Sequence, residues 1–329
     1  MLLSMTRACS RVRLASPSLQ ANFATVTASM VKELRETSGA PMMDCKKALT
    51  ESGGEIEKAM DWLRAKGIAK ASKSASREAT EGLVAIKADK ENLLLIEVNS
   101  ETDFVSRNDD FHAFVQTIAD KASETGVEEG KIDVSAFLQL DDGALQNKLT
   151  DTINVIRENI VVRRIEKVIP RENEVLSTYV HGKVFSGDNI VLGTQAAVVG
   201  LHVGSGRGTT PELSEIGHKL AMHVIAASPL YASTDSVPSD FLDREKVVLR
   251  EQMEESGQTE GKKPDMLEKI LAGKVNKRLS EVCLSAQAHF AEEGSPVIEK
   301  YLKSQAGALK LDKLAISRFW RWSLGSNSE

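Results

Sequence analysis

The sequence has few aromatic residues, few cysteines and no long apolar segment. Phenylalanine, tyrosine and tryptophan together make up 5% of the 329 residues, so a mostly aliphatic core is expected. No apolar run approaches the roughly 20 residues that a membrane-spanning helix needs, so no membrane association is expected. Cys9, Cys45 and Cys283 stand far apart without a CxxC pair, which predicts neither a disulfide framework nor a zinc site.

Acidic residues outnumber basic ones, 47 Asp and Glu against 42 Lys and Arg, but the start of the chain is an exception. The formal net charge is −5, whereas nucleic-acid-binding proteins usually carry a basic face or a basic total, so no direct binding to nucleic acid is expected. Residues 1–24 contain Arg7, Arg11, Arg13 and several serines but no acidic residue. This composition is typical of an organelle transit peptide, and it predicts import into the mitochondrial matrix. A disordered basic tail is the alternative.

Motifs for catalysis and for nucleotide binding are also missing. The glycine-rich segment 204–208 follows an apolar strand, but the third glycine of GxGxxG falls on Thr209, and no Gly-Lys pair completes a Walker motif. His218 and His223 lie five residues apart and so do not share a helical face as metal ligands would. The acids within 101–110 lack EF-hand spacing, and no GxSxG segment occurs. The sequence therefore predicts a binding protein and not an enzyme, with no cofactor, metal or small-molecule substrate of its own.

Apolar periodicity predicts an α+β protein in several parts. These are the transit peptide at 1–24, a three-helix module at 27–67, a linker at 68–82, a core N-terminal half at 83–170 and a core C-terminal half at 171–329, with a helical hairpin at about 239–282. Gly67 is expected to end the third helix of the module. Each core half is expected to contain a strand hairpin, a loop and a helix, so that the sheets are antiparallel.

One segment places an aromatic ring in polar surroundings. Phe104 follows the apolar strand 93–98 and precedes the polar residues 106–110, which predicts a loop around it. A phenylalanine at the tip of such a loop either folds back into its own core or is offered to another protein. Residue chemistry alone favours the first outcome.

Two longer segments resemble signatures of the elongation factor Ts family. Residues 31–49, VKELRETSGAPMMDCKKAL, resemble the N-terminal signature of the family, and residues 97–105, EVNSETDFV, resemble its core signature. His181-Gly182 and the helix at 218–229 resemble parts of its second core half. Together with the transit segment, the resemblance implies a mitochondrial member of this family.

This resemblance implies guanine-nucleotide exchange in translation, with mitochondrial elongation factor Tu as the partner. The three-helix module is then similar to ubiquitin-associated domains and docks on the GTPase domain, while the second core half grips a distal domain. The loop Thr102, Asp103, Phe104 and Val105 is expected to displace Mg²⁺ from the GTPase, with the phenylalanine as a wedge. Further implied partner-binding residues are Met42, Met43, Lys46, His181, Gly182, Met222 and His223.

Two other expectations remain open at this point. A ubiquitin-like-binding adaptor that uses only the three-helix module is the alternative function, and it predicts affinity for ubiquitin and none for a GTPase. The transit segment argues against it. The terminal segment Arg318–Trp322 departs from the expected pattern, and Trp320 and Trp322 are expected to be exposed and to form an added contact.

Overall fold

The computed structural model divides the chain into two units, and the division falls between Gly67 and Ile68. It describes residues 26–89, 92–204, 210–258 and 262–326, and for residues 68–73 it describes the backbone alone. The transit-peptide prediction at 1–24, residues 205–208 of the glycine-rich segment and Thr209 lie outside the described residues.

The first unit is helical. Its elements are α1 (Ala28–Ser38), α2 (Met42–Glu51) and the beginning of α3 (Ile56–Ser74). The hydroxyl of Thr27 caps α1 by accepting from the amide of Met30 (3.3 Å), and Gly39 ends the helix in the left-handed conformation that glycine adopts without strain (φ 63°). The interhelical core consists of fully buried small and aliphatic side chains: Leu34, Cys45, Ala48, Leu49 and Ala59.

The third helix is longer than the sequence predicts. It continues through Gly67 to Ser74, so the prediction that this glycine ends it is wrong. A glycine inside a helix costs roughly 1 kcal/mol relative to alanine, which weakens a helix without stopping it. The residues that follow are isoleucine, alanine, lysine and serine, with no proline among them. The first part of the predicted linker is therefore helical.

The second unit contains a larger sheet that positions the candidate site. Its strands, within the described residues, are β1 (Glu81–Ala88), β2 (Leu93–Ser100), β3 (Gly130–Ile132), β4 (Val161–Val168), β6 (Phe185–Ser186) and β7 (Ile190–Gly193). The strand order is β3-β4-β2-β1-β7-β6, and all pairs are antiparallel. Three helices cover one face: α4 (Asp109–Glu124), α5 (Val134–Leu138) and α6 (Leu140–Ile156).

The central strands β1 and β2 are apolar on both faces because both faces are covered. Leu83 and Ala85 belong to the core shared with α4, which includes Phe111. Val84 and Ile86, which point the opposite way, belong to a second core between the two sheets. This explains why the sequence of these strands is almost continuously hydrophobic, although antiparallel strands often alternate.

A second, smaller sheet packs behind the first. It consists of β5 (Glu174–His181), β8 (Gln195–His202) and β9 (Ala315–Ser323), in the order β5-β8-β9. Its other face is covered by α7 (Pro211–Ala227) and α10 (Ile298–Ala308). The predicted helical hairpin is present as α8 (Ser239–Glu255) and α9 (Pro264–Val282). The α+β prediction with antiparallel sheets is confirmed.

Two details of the second core half differ from the expectations. Residues between β5 and β8 form β6 and β7, which join the larger sheet, so the second half is not a plain hairpin. Trp322 is only 3% exposed and lies between the two sheets, with the guanidinium of Arg164 stacked 4.1 Å from its ring centroid. Trp320 is half-buried and donates to Glu166 (2.9 Å). The expectation of exposed tryptophans is wrong, because strand β9 lies against cores on both of its faces.

None of the helices in the described ranges combines the length and the apolarity required to span a bilayer.

Candidate functional site

The predicted loop after β2 is a single turn of 3-10 helix, Asp103–Arg107, that joins the end of β2 to the start of α4. Within it, adjacent side chains point in opposite directions. Val105 is 5% exposed and packs into the core beneath α4. Phe104 is 81% exposed. The sequence left open whether this ring folds into its own core or faces outward, and the structure shows that it faces outward.

Hydrogen bonds to the backbone hold the turn in shape. The hydroxyl of Ser100 donates to the carbonyl of Thr102 (3.0 Å), and the hydroxyl of Ser106 donates to the carbonyl of Asp103 (2.6 Å). Buried His112 donates through Nε2 to the carbonyl of Ser106 (2.7 Å). Each bond immobilises a peptide group of the turn.

His112 is itself held in place by a strand that the sequence did not predict. Its ring lies against that of Phe185 in β6, with a centroid separation of 5.4 Å. On the other side of the turn, Asn108 caps α4 by accepting from the amides of Asp110 (2.8 Å) and Phe111 (3.1 Å). The turn is therefore fixed from below and at its exit.

A long-range contact fixes the entry to the turn. The carboxylate of Glu158 accepts from the amide of Thr102 (2.9 Å) and from its hydroxyl (2.6 Å). The preceding residue, Glu101, pairs with Arg77 (3.0 Å) and accepts from the backbone amide of Asn159. Sequence reasoning missed Glu158, because a carboxylate 56 residues away leaves no local pattern.

The exposed ring has a large apolar surface to offer. Burying a phenylalanine side chain fully is worth about 1.5–3 kcal/mol. Single exposed apolar residues are common on protein surfaces and need no function. This ring differs because its backbone is immobilised and because Asp103 and Arg107 beside it are exposed charged residues. A rigid apolar projection with a charged rim is suited to insertion into a partner.

The predicted partner-binding residues of the first unit lie on one face of α2. Met42 is 57% exposed, Met43 is 75% exposed, and Lys46 is exposed too. The opposite face, with Cys45 and Leu49, is buried in the helical core. The proline before the helix and the ion pair of Asp44 with Lys66 (2.7 Å) hold its first turn.

His181 is the last residue of β5, and Gly182 follows it directly. His181 is exposed, and its Nδ1 is 3.2 Å from the hydroxyl of Tyr179. Gly182 has a φ of 62°, and a Cβ there would collide with the side chain of Thr194. Glycine is therefore required both by the left-handed backbone and by the close approach.

His223 does not lie where a direct partner contact requires it. It is 2% exposed and donates through Nε2 to the side-chain oxygen of Gln287 (2.9 Å). Burial lowers the pKa of His223 below its ordinary value. Its ring stacks beneath Phe290, with centroids 5.3 Å apart and an interplanar angle of 23°. The neighbouring Met222 is half-buried.

Phe290 is an exposed aromatic residue that the sequence analysis did not identify. It is 50% exposed, and its amide donates to Nδ1 of His223 (3.5 Å). The signal that could have found it is the one that singled out Phe104, an aromatic residue in a segment otherwise rich in small and polar residues.

Across the residues described, no group of three or more His, Cys, Asp or Glu side chains could hold a metal ion.

Comparison with known proteins agrees with the resemblance seen in the sequence. A family model described as Elongation factor TS matches residues 101–326. Elongation factor Ts of Caulobacter vibrioides (strain ATCC 19089 / CIP 103742 / CB 15) is 42% identical over 311 residues, which cover 93% of this chain and 94% of that protein. Elongation factor Ts of Paramagnetospirillum magneticum (strain ATCC 700264 / AMB-1) is 40% identical over 309 residues, with 93% of each chain covered. That of Rhodopseudomonas palustris (strain BisA53) is 38% identical over 308 residues, or 93% of this chain and 94% of the relative.

The chain belongs to the elongation factor Ts family. Its function is accordingly the nucleotide-exchange role of this translation elongation factor, which is not enzymatic catalysis in the usual sense. The family model matches most of the sheet-containing unit, and the relatives align with 93% of the chain.

Proposed function

We propose that the protein binds elongation factor Tu in mitochondria and promotes replacement of GDP by GTP, and that the Thr102–Val105 loop does so by displacing Mg²⁺ from the GTPase. The single observation that carries the mechanism is the 81% exposure of Phe104 on an immobilised turn. Membership in the elongation factor Ts family supports the choice of partner.

An exchange factor works by differential binding and needs no bond chemistry. It binds the nucleotide-free partner more tightly than the nucleotide-bound one, and by linkage the nucleotide then binds the complex more weakly by the same factor. Loosening a nucleotide from nanomolar to micromolar affinity requires about 4 kcal/mol. Truncating one buried aromatic anchor commonly costs about 2 kcal/mol or more, so Phe104 supplies a substantial share.

The mechanism assigns a separate role to each residue of the loop. A GTPase holds its nucleotide with phosphate-cradling amides, a lysine and Mg²⁺. Phe104 inserts between elements of the GTPase domain and shifts the segment that holds the metal. The exposed carboxylate of Asp103 accepts hydrogen bonds from the displaced segment, while Thr102 and Val105 keep the turn fixed to this protein. Once Mg²⁺ is misplaced, the phosphates lose a neutralising charge and GDP dissociates faster.

Other surfaces supply affinity. The exposed face of α2, with Met42, Met43 and Lys46, docks on the GTPase domain, and flexible methionine side chains adapt readily to a partner surface. In the second core half, the His181-Gly182 turn and Met222 grip a distal domain of the same partner. His223 contributes there through Phe290, which covers it.

The mitochondrial assignment rests on the composition of residues 1–24, which have three arginines and no acid. Expression of the full chain with a C-terminal fluorescent tag is the direct test. We expect the tag to co-purify with the mitochondrial matrix and a variant lacking residues 1–24 to remain outside it. Equal distribution of the two proteins would contradict the assignment.

Release of labelled GDP from mitochondrial elongation factor Tu tests the function. Addition of the chain should accelerate release in a dose-dependent and saturable way. Val247→Ala is a suitable control variant, because it truncates an apolar residue that is 55% exposed on α8. We expect it to match the unmodified chain. Unchanged release at saturating concentrations of the chain would refute the proposed function.

A further inference from the structure

We propose that Glu158 is a positioning residue for nucleotide exchange: its carboxylate holds Thr102 and thereby fixes the direction in which Phe104 projects. The inference rests on the proposed function of the loop. It concerns a residue that lies 56 positions away from Thr102 in the sequence.

The contact uses both oxygens of one carboxylate. Oε2 accepts from the backbone amide of Thr102 at 2.9 Å, and Oε1 accepts from its hydroxyl at 2.6 Å. Hydrogen bonds to an ionised carboxylate are stronger than neutral ones, and two bonds from one residue define an orientation as well as a distance. The backbone of Thr102 is thereby held in the extended conformation that precedes the turn.

The hydroxyl of Thr102 is committed to this contact. Thr102 occupies the N-cap position of the 3-10 turn, where a threonine oxygen commonly accepts from an amide within the turn. Here the side chain makes no such capping bond and donates to Glu158 instead. The local alternative is therefore unused, and the entry to the turn depends on the distant carboxylate.

Glu158 itself stands on a rigid support. It follows Arg157, which ends α6 in the left-handed conformation (φ 69°) and donates to the carbonyl of Ile153 (2.7 Å). It precedes Asn159, which is 3% exposed and donates through its side chain to the carbonyl of Arg77 (2.7 Å). A carboxylate on such a backbone can define the position of its partner.

A second tether runs in the opposite direction. The side chain of Glu101 accepts from the backbone amide of Asn159, while the side chain of Glu158 accepts from the backbone of Thr102. Two consecutive residues of the loop are thus bonded reciprocally to two consecutive residues of the support. Beyond this clamp, the burial of Val105 holds the turn from below, and the ring of Phe104 projects outward.

The test is the rate of labelled GDP release from elongation factor Tu, measured against concentration of the full chain. Glu158→Ala should reduce the rate at saturation roughly tenfold, because the loss of charge-assisted bonds to the loop lowers the population of the productive orientation. The half-saturating concentration should change by less than about twofold, since the other docking surfaces remain. Glu158→Gln, which can still accept from the amide and donate to the hydroxyl oxygen, should restore most of the rate.

Controls separate positioning from a general loss of structure. Glu299→Ala removes another surface carboxylate, one paired with Lys303 (2.6 Å), and should leave exchange unchanged. Should Glu158→Ala fail to fold, Thr102→Ala removes one of the two bonds and should reduce the saturating rate by roughly threefold, with Thr102→Ser normal. Thermal unfolding of each variant checks the fold.

A double-mutant cycle decides the outcome. If Glu158 acts through Phe104, adding Glu158→Ala to Phe104→Ala should cause little further loss. A normal saturating rate for Glu158→Ala, or a loss fully additive with that of Phe104→Ala, would overturn the positioning role while leaving the proposed function intact. A normal rate for Phe104→Ala would instead overturn the proposed mechanism, and the positioning role with it.

Discussion

The second unit exposes two phenylalanine rings that are held in different ways. Phe104 has its peptide neighbours immobilised by hydrogen bonds, while its ring is 81% exposed. Phe290 is 50% exposed, and one face of its ring is stacked on buried His223. A ring that projects freely from a fixed backbone can insert into a partner, whereas a ring with one covered face can only form part of a flat contact. The exposed fraction alone does not distinguish an inserting ring from a flat contact. The distinguishing feature is whether one face of the ring is stacked on the protein's own residues.

Truncating each ring to alanine should give the largest difference between the two phenylalanines in GDP-release kinetics. Phe104→Ala is expected to reduce the saturating rate of GDP release by roughly 30-fold, the equivalent of losing an anchor worth about 2 kcal/mol. Phe290→Ala should leave that rate within about twofold and instead raise the half-saturating concentration, because a flat contact contributes affinity and not distortion. Rates measured over a range of factor concentrations separate the two parameters, and identical behaviour of the two variants would remove the distinction.

The stability of the segment beneath Phe290 should depend on pH through His289, whose ring contacts that of His223. His289 is fully buried, its Nδ1 accepts from the amide of Ala291, and its Nε2 has no hydrogen-bond partner among the described residues. Burial and the neighbouring His223 lower the pKa of His289 to about 4. The unfolded chain therefore binds more protons than the folded one between about pH 6.5 and 4, so the unfolding free energy falls as pH falls through this window. Above pH 6.5, His289 is neutral in both states and causes no loss of unfolding free energy.

The variant His289→Phe tests whether His289 causes this pH dependence, because it keeps a ring of similar size and removes the titrating nitrogen. We expect it to eliminate about 2–3 kcal/mol of the loss in unfolding free energy between pH 7 and 4. Urea unfolding at both pH values measures the difference. The variant should exchange nucleotide normally at neutral pH, since the Phe104 turn is untouched. An unaltered pH profile would show that His289 is not the titrating group.

The smallest effect is expected from His223→Ala. Its loss removes the hydrogen bond to Gln287 and the stack beneath Phe290, which should lower the unfolding free energy by about 1–2 kcal/mol. Chemical denaturation measures this change. The saturating rate of GDP release should stay normal, in contrast to Phe104→Ala. A loss of rate comparable to that of Phe104→Ala would mean that His223 acts in exchange and not in support.

The sequence predicts elements whose signal is local. The mostly apolar strands β1 and β2 and the amphipathic helices α4 and α7 give strong local signals. Both the strand hairpin and the helical arm are confirmed by the structure. The very short strands β6 and β7, of two and four residues, have no comparable signal. They were missed although β6 supports the histidine beneath the turn.

Features that depend on tertiary contacts could not be predicted from the sequence. Glu158 is an ordinary carboxylate until the fold brings the end of α6 beside the end of β2. The burial of Trp322 depends on a sheet-to-sheet interface that no alternation in β9 reveals. His223 was singled out by its motif, but whether a histidine in α7 faces outward depends on the segment with Gln287 and Phe290 that packs over it.

The central claim is that Phe104 acts on the Mg²⁺ site of the partner, and the Mg²⁺ dependence of exchange tests it most directly. GDP release from elongation factor Tu is measured at saturating concentrations of the unmodified chain and of Phe104→Ala, first with millimolar Mg²⁺ and then after chelation. The account predicts that the variant releases GDP much more slowly than the unmodified chain when Mg²⁺ is present. Without Mg²⁺ the two rates should differ by less than about threefold, because chelation removes the metal that the ring otherwise displaces. An equal deficit under both conditions, or none under either, would contradict it.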